Sequence, residues 1–154
     1  MTYEFKKITQ KQAEDIAYNW HYEDKYSFYD MEADKEDLEE FLDPEARCDS
    51  SFAVMSDNEL IGFFSADKKS DGSVDIGLGM RPDLTGKGKG REFLKAGMDF
   101  VRSKYDPINI TLAVATFNQR AIKVYRRLGF DDAGTFMQDT NGDRYEFLKM
   151  VYEC

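Results

Sequence analysis

The hydrophobic positions of this chain recur with two different periods, and the changes of period predict alternating strands and helices. Short runs rich in β-branched and aromatic residues predict strands at residues 3–8, 51–56, 60–67, 73–80, 109–115, 130–138 and 143–152. Apolar residues spaced three and four apart predict helices at residues 9–18, 35–42, 88–104 and 118–128. Turn dipeptides at residues 57–58 and 141–142 should join two strand pairs as hairpins. These elements predict an α/β fold, and a length of 154 residues favours one domain, residues 1–154.

Composition and charge narrow the classes of function. A net charge of −9 disfavours nucleic acid as a partner. The chain has no run of about twenty apolar residues and no apolar core of a signal peptide, so we expect no membrane partner and a cytoplasmic location. Cys48 and Cys154 form neither a disulfide framework nor a metal signature, and His21 is the one histidine, so we expect no metal site.

The segment between strand 73–80 and helix 88–104 carries the most specific chemistry. Three glycines alternate there with three cations, in the order Gly86, Lys87, Gly88, Lys89, Gly90 and Arg91. Each cation faces the positive end of the helix macrodipole, which costs roughly 0.3–1 kcal/mol on an exposed surface. A phosphate group would offset this cost, because exposed N–H groups, glycine backbone and cationic side chains all suit an anion. We call residues 85–91 the glycine loop.

Two common phosphate-binding motifs do not fit the glycine loop. A P-loop requires Gly-Lys-Ser/Thr, but Gly86-Lys87 and Gly88-Lys89 are each followed by glycine, so the magnesium-binding hydroxyl is missing. The dinucleotide pattern G-x-G-x-x-G does not end on glycine from any start, whether Gly77, Gly86 or Gly88. A nucleotide-binding phosphotransferase is therefore disfavoured.

The glycine loop resembles motif A of the GCN5-related N-acetyltransferase (GNAT) family, Gln/Arg-x-x-Gly-x-Gly/Ala, as Thr85-x-x-Gly88-x-Gly90. Threonine stands where the family usually has glutamine or arginine, so that side-chain contact is not carried over. Residues 118–130 are similar to the family's run Asn-x-x-Ala-x-x-x-Tyr-x-x-x-Gly-Phe, with Asn118, Ala121, Tyr125, Gly129 and Phe130 at the motif positions. The resemblance is specific over residues 75–130.

This resemblance implies a mixed, strongly bent central sheet with helices on both faces. Its central parallel strands, 73–80 and 109–115, would splay apart and admit the pantetheine arm of acetyl-CoA. The implied activity is direct transfer of the acetyl group from acetyl-CoA to a primary amine, on a small molecule or a peptide N-terminus. The loop amides would hold the pyrophosphate, and Lys87, Lys89 and Arg91 would meet the pyrophosphate or the 3′-phosphate. The alternative is a domain of the same fold that binds or senses acyl-CoA without catalysis.

Tyr125 is the candidate general acid for the departing thiolate, and Asn118 a candidate cofactor ligand. The two residues are seven apart in one helix, so at about 100° per residue they return to nearly the same face. Asn118 is expected to bind the pantetheine region, to cap the helix, or both. Spacing alone also fits Tyr125 as a core residue, because Ala121, Val124 and Leu128 share its face.

The resemblance places the oxyanion-binding N–H groups around Leu78, Gly79 and Met80, where the family breaks its strand with a bulge. Gly77 and Gly79 suit such a bulge, although ordinary strand packing explains them too. Asp75, on the same strand, is the candidate general base. A solvated strand aspartate, with water as the base, is the alternative.

The acceptor side is expected in residues 20–30, which we call the aromatic segment. It contains Trp20, Tyr22, Tyr26, Phe28 and Tyr29, with Asp24 and Asp30. Relatives in the family shape the acceptor cleft with this region, which makes Trp20, Tyr22, Tyr26 and Tyr29 the candidate substrate-binding residues. An aromatic and acidic wall suits a cationic amine, whereas the alternative is that these rings only pack a loop onto the sheet. The sequence leaves monomer and homodimer open.

Overall fold

A computed structural model describes residues 3–47, 50–85 and 87–154. Its strands form a seven-stranded sheet in the order β1-β2-β3-β4-β5-β7-β6. The strands are β1 Glu4–Lys7, β2 Ser51–Ser56, β3 Glu59–Lys68, β4 Ser73–Met80, β5 Asn109–Ala115, β6 Asp131–Thr140 and β7 Asp143–Glu153. The helices are α1 Gln10–Asn19, α2 Lys35–Leu42, α3 Pro44–Arg47, α4 Gly90–Tyr105 and α5 Gln119–Arg127, with 3₁₀ turns at Asp24–Tyr29, Met31–Ala33 and Pro82–Leu84. The predicted α/β class is confirmed.

The two central strands separate, as predicted. All neighbouring strands are antiparallel except β4 and β5, whose parallel register runs from Ser73↔Asn109 to Asp75↔Thr111 and ends there. β4 stays paired with β3 as far as Met80, and β5 stays paired with β7 as far as Ala115. Residues 76–80 and residues 112–115 therefore do not pair with each other, and we call the space between them the gap.

Helices cover both faces of the sheet. The larger core lies between the sheet and α4, where Phe64 and Phe93 are fully buried. The smaller core lies on the opposite face, where Ile16 and Trp20 at the end of α1 pack with Ala53 of β2. Alternate residues of a strand point to opposite faces, which explains how β2 contributes to both cores. The predicted two-sided arrangement is confirmed.

Local turn chemistry accounts for both hairpins. Asp57 and Asn58 have φ of 51° and 65°, and Asn141 and Gly142 have φ of 53° and 77°. Two consecutive positive φ angles are what a type I′ turn requires, and this turn matches the twist of the strands it joins. The turn dipeptides in the sequence therefore predicted the hairpin pairs β2–β3 and β6–β7 correctly.

The predicted bulge in β4 is wrong. The register between β3 and β4 is continuous from Lys68↔Val74 to Gly62↔Met80. A Cβ at Gly77 would lie 2.7 Å from the Ser65 hydroxyl, and one at Gly79 would overlap the Phe63 ring. Both glycines therefore make room for side chains that cross over from β3. Register shifts occur instead between β2 and β3, after Val54, and between β6 and β7, after Asp132.

One carboxylate, that of Asp34, joins the β6–β7 hairpin to α2. Asp34 is the N-cap of α2 and accepts a hydrogen bond from the Asp37 N–H at 3.1 Å. Its second oxygen accepts from the Asn141 N–H at 2.7 Å and from the Thr140 hydroxyl at 3.1 Å. These bonds, that of Asn141 foremost, hold the pKa of Asp34 below its ordinary value.

We expect Asp34→Asn to destabilise the protein at neutral pH and much less in acid. The folded-state pKa is lowered, so the stabilisation is present above the unfolded pKa of about 3.9 and is lost as the pH falls through the folded pKa. Urea unfolding of both proteins across this pH range measures the difference. Asp131→Asn, an exposed change on β6, is the control. A penalty for Asp34→Asn that stays constant with pH would contradict the assignment.

Candidate active site

The open edge of β4 presents backbone groups to the gap. The Lys69 N–H donates to the Ser73 carbonyl and the Arg81 N–H to the Ile61 carbonyl, both at 2.8 Å. In an antiparallel register every second residue is bonded to the same neighbour, so the odd-numbered residues of β4 face β3. Leu78 and Met80 therefore direct their N–H and carbonyl groups towards the gap, where β5 no longer pairs with them. Of the three predicted positions here, Gly79 faces β3.

The aromatic segment is attached to the end of β4. The Tyr22 hydroxyl donates to the Met80 carbonyl at 2.7 Å. Burial, with a smaller contribution from Asp30, raises the pKa of Tyr22, so the phenol stays protonated. Asp30 in turn accepts from the Tyr22 N–H at 2.8 Å and contacts the His21 ring at 3.1 Å. The Asp30 carboxylate is thus engaged within its own segment.

Asn118 connects helix α5 to the aromatic segment. Its side-chain oxygen accepts from the Ala121 N–H at 3.2 Å, which caps the helix. Its side-chain NH₂ donates to the Tyr29 hydroxyl at 3.3 Å. The cap fixes the orientation of the amide, so the NH₂ is directed away from the helix and into the site.

Tyr125 has a packed ring and a hydroxyl without a partner among the described residues. The ring centroid lies 6.0 Å from that of Phe130. Burial, and to a lesser extent Tyr29, raises the pKa of Tyr125. The hydroxyl is nevertheless not one of the completely buried unpaired atoms of the described residues. A core tyrosine would bury its hydroxyl against a partner, which makes this phenol available to a ligand.

The glycine loop ends in an open helix terminus. Lys89 is the N-cap residue of α4, and its side chain makes no capping hydrogen bond. Helix α4 begins two residues later than predicted, because Gly88 has φ of 76°, outside the helical region. A Cβ at Gly88 or Gly90 would meet nothing within 4 Å. The first N–H groups of α4 thus face free space next to Lys89, with Lys87 and Arg91 exposed.

Two other residues of the loop bear on the predictions. Thr85 replaces the family's glutamine or arginine, and its hydroxyl donates to the Pro82 carbonyl at 2.8 Å. This side chain closes the 3₁₀ turn before the loop, which agrees with leaving it out of the site. Gly86 lies outside the described residues.

Two predicted residues lie away from the gap-facing groups, and a third, Tyr26, packs within the aromatic segment's cluster. Asp75 is at the paired end of β4, where it accepts from the Thr111 hydroxyl at 2.7 Å. Trp20 is 5% exposed and belongs to the smaller core, with its ring 6.2 Å from that of Phe63. Tyr26 lies under the Arg120 guanidinium, 4.2 Å from its ring centroid, and packs on Phe117 at 6.4 Å. The structure thus joins Tyr22 to Met80, next to Leu78 in sequence, and joins Tyr29 to Asn118, with Tyr125 close enough to interact electrostatically.

Phe117 supports the site through contacts with the aromatic segment that the sequence alone did not indicate. Its ring lies 5.3 Å from Phe28, 6.0 Å from Tyr29 and 6.4 Å from Tyr26. It therefore docks the aromatic segment against the start of α5. Its position directly before the N-cap Asn118 is the sequence signal, because a hydrophobic residue there often fixes the direction of the entering chain.

In the part of the chain that the structure describes, no helix is both long and apolar enough to cross a membrane. The same residues contain no group of three or more His, Cys, Asp or Glu side chains placed to hold a metal ion.

Comparison with known proteins supports the same fold. The profile of the acetyltransferase (GNAT) family matches residues 15–130. No curated protein sequence matches the chain significantly. A chimera of the spermidine N-acetyltransferase SpeG from Vibrio cholerae and hSSAT superimposes with a TM-score of 0.75 at 18% identity, covering 99% of this chain and 96% of the other.

Two further similar structures contain ligands. Spermidine N-acetyltransferase from Vibrio cholerae, in complex with CoA and spermine, has a TM-score of 0.74 at 18% identity and covers 98% of this chain and 95% of its own. AAC(6')-Ib, in complex with ribostamycin and coenzyme A, has a TM-score of 0.75 at 17% identity and covers 99% and 94%. At these identities the similarity establishes the fold.

Proposed function

Because the chain belongs to the GNAT acetyltransferase family, we propose that it transfers the acetyl group of acetyl-CoA directly to a primary amine, with residues 1–154 acting as one N-acetyltransferase domain. The observation that carries the proposal is the gap. Its β4 side has the N–H groups of Leu78 and Met80, which β5 does not pair, and its β5 side has Asn118 with the bonded Tyr29, whose phenol interacts electrostatically with Tyr125. An acyl transfer requires both kinds of group: donors for the oxyanion and an acid for the leaving thiolate.

The glycine loop suits the phosphates of the donor. The uncapped N–H groups of α4 and the free space at Gly88 and Gly90 allow an anion to approach the backbone closely. Lys87, Lys89 and Arg91 add positive charge at the same place. The pantetheine arm would run from there into the gap, where Asn118 directs its NH₂.

The chain's own groups have distinct tasks in the reaction. The amine nitrogen attacks the thioester carbon, and a backbone N–H of Leu78 or Met80 stabilises the negative charge on oxygen. When the C–S bond breaks, Tyr125 gives its proton to the departing sulfur and is later reprotonated from solvent. Its raised pKa keeps it protonated, as an acid must be. We assign the amine's proton to water rather than directly to Asp75, because Thr111 holds that carboxylate at the paired end of β4.

We propose a cationic amine as the acceptor. Two of the similar structures contain spermine or ribostamycin, and the chain's charge of −9 would attract such a molecule. A thiol-release assay over polyamines, aminoglycosides, amino acids and peptides identifies the class. Acetyl-CoA binding without thiol release from any amine would favour a binding or sensing role instead.

We expect Gly90→Ala to weaken acetyl-CoA binding at least about tenfold, which corresponds to about 1.4 kcal/mol. The added methyl meets nothing in the free protein, so folding stability should be unchanged or slightly higher, since alanine favours helix. Isothermal titration and thermal shift measure the two effects separately.

Two exposed cations of α4 provide a matched control for charge. Arg91→Ala should weaken binding and reduce its salt dependence, whereas Lys95→Ala, one turn further along and paired with Asp99, should change neither. The proposed function fails if wild-type protein shows neither heat nor thermal stabilisation at millimolar acetyl-CoA, because binding to the native state must stabilise it.

A further inference from the structure

The oxygen of Tyr29 is held by the side chain of Asn118. The Asn118 NH₂ donates to it at 3.3 Å, and the Asn118 backbone N–H donates to the Ala115 carbonyl at 2.9 Å. Burial raises the pKa of Tyr29 and outweighs the lowering by Asn118 and the Ala115 backbone, so the phenol keeps its proton at neutral pH. A hydroxyl has two acceptor sites and one donor. The proton therefore remains available for a hydrogen bond, and no described residue accepts it.

The backbone of β5 shows where this hydroxyl lies. The Thr116 N–H donates to the Glu146 carbonyl and the Cys154 N–H to the Ile108 carbonyl, each at 3.1 Å. The even-numbered residues of β5 therefore face β7, and the odd-numbered Ala115 directs its N–H and carbonyl towards the gap. The Ala115 carbonyl accepts from the Asn118 N–H, and the Asn118 side chain holds the Tyr29 hydroxyl, so Tyr29 is at the β5 side of the gap.

The last register pair of the central strands relates Tyr29 to the β4 donors. Asp75 is opposite Thr111, and four residues further along the two strands are Gly79, between Leu78 and Met80, and Ala115. An oxygen atom in the gap at this level would have the β4 N–H groups on one side and the Tyr29 hydroxyl on the other. Tyr125 is close enough to Tyr29 for the two phenols to affect each other electrostatically.

We propose that Tyr29 is a further catalytic residue, which donates a hydrogen bond to the acetyl carbonyl oxygen from the side opposite β4. This inference rests on the proposed function. Tyr29 keeps its proton throughout, while negative charge builds on the oxygen and returns to the carbonyl as the C–S bond breaks. Tyr125 remains the group that protonates sulfur. The aromatic segment thereby supplies part of the oxyanion site, in addition to forming the acceptor side.

The test uses wild-type protein, Tyr29→Phe and the control Tyr145→Phe. Tyr145 is a half-buried tyrosine whose ring packs on Phe28 at 4.7 Å, on the outer side of the same aromatic cluster. Each protein is mixed with acetyl-CoA carrying ¹³C at the acetyl carbonyl, and the carbonyl stretch of the bound molecule is measured by difference infrared spectroscopy. We expect the stretch to move to higher frequency only in Tyr29→Phe, because a lost hydrogen bond strengthens the C=O bond.

Kinetics provide the second measurement. With Tyr29→Phe, kcat should fall on the order of 10²-fold, as when one oxyanion donor is removed. The Kd of CoA should stay unchanged, because CoA lacks the acetyl carbonyl. An unshifted carbonyl band in Tyr29→Phe overturns the inference. A higher KM for the amine with an unchanged kcat also overturns it, because Tyr29 would then bind the acceptor amine instead of the acetyl oxygen.

Two outcomes separate this inference from the proposed function. If wild-type protein does not bind acetyl-CoA, both fail, whereas binding with an unshifted band in Tyr29→Phe overturns this inference alone. If Tyr29→Phe does not fold, 3-fluorotyrosine at position 29 replaces it. That side chain is a stronger donor of nearly the same shape, so the band should move to lower frequency, and an unchanged band overturns the inference.

Discussion

Tyr125→Phe is expected to lower kcat by at least about 10²-fold, the usual contribution of a positioned general acid, and to leave the Kd of acetyl-CoA nearly unchanged. The ring of Tyr125 packs near Phe130, and phenylalanine preserves that contact. The change thus removes one hydroxyl, which has no partner among the described residues. Since the hydroxyl acts mainly in the transition state, its loss should appear in kcat rather than in substrate binding.

The pH dependence follows from the direction of the pKa shift. Burial raises the pKa of Tyr125, so the acid form persists across neutral pH and kcat should not decline there through loss of this proton. Tyr152→Phe is the matched control, because that half-buried tyrosine also packs on Phe130, at 5.6 Å. Its kcat should equal that of wild type. An unchanged kcat in Tyr125→Phe would remove the catalytic role and return Tyr125 to the core.

The acid and the oxyanion donors can be separated by combining variants. Tyr125 acts on sulfur and Tyr29 on the carbonyl oxygen, but both act in one transition state, so their losses should not simply add. Measuring product formation from an acetyl donor with a poorer leaving group would sharpen the distinction. The rate with this donor should depend more strongly on Tyr125 and no more strongly on Tyr29.

The sequence was informative wherever one element contains the whole signal. Asn118 and Tyr125 share a helix, so their spacing alone placed them on one face. The turn at residues 141–142 likewise carries its own backbone requirement. Resemblance to a family added the glycine loop, and the open space at Gly88 and Gly90 is consistent with that interpretation.

The sequence was less informative where the role of a residue depends on a neighbour in the folded structure. A glycine in a strand fits a bulge or a crossing side chain, and only the neighbouring Phe63 and Ser65 show that the second applies in β4. Composition also could not show which rings of the aromatic segment belong to the site: Trp20 is buried in the smaller core, whereas Tyr29 is bonded to Asn118. Tyr29 and Asn118 are 89 residues apart, so their contact depends on how the segment docks.

Phe64→Ala is expected to lower the free energy of unfolding by about 3–5 kcal/mol, the usual loss for a buried phenylalanine. Phe64 is fully buried in the larger core, between β3 and α4. Its ring packs edge-on against Phe5 at 5.4 Å. A small domain is stable by about 5–15 kcal/mol in total, so this variant should be marginal, and urea unfolding measures it.

Gly97 of α4 provides the counterpart to this change. A Cβ there would lie 2.5 Å from the Phe64 ring, so Gly97→Ala alone should overpack the core and cost about 1–3 kcal/mol. In the Phe64→Ala background the same methyl meets no ring and removes a helix glycine, so it should be neutral or stabilising by up to about 1 kcal/mol. The two changes should therefore be coupled in a double-mutant cycle.

This close contact between α4 and β3 also positions the helix on the sheet. If Gly97→Ala pushes α4 away from the sheet, the glycine loop at its N-terminus moves with it, and the Kd of acetyl-CoA should rise as stability falls. Adding Phe64→Leu to the Gly97→Ala protein should restore space, and should recover part of the stability and part of the affinity for acetyl-CoA. Equal destabilisation by Gly97→Ala in the wild-type and Phe64→Ala backgrounds would show that α4 is not seated by this pair, and the phosphate-binding end of the helix would then need another anchor.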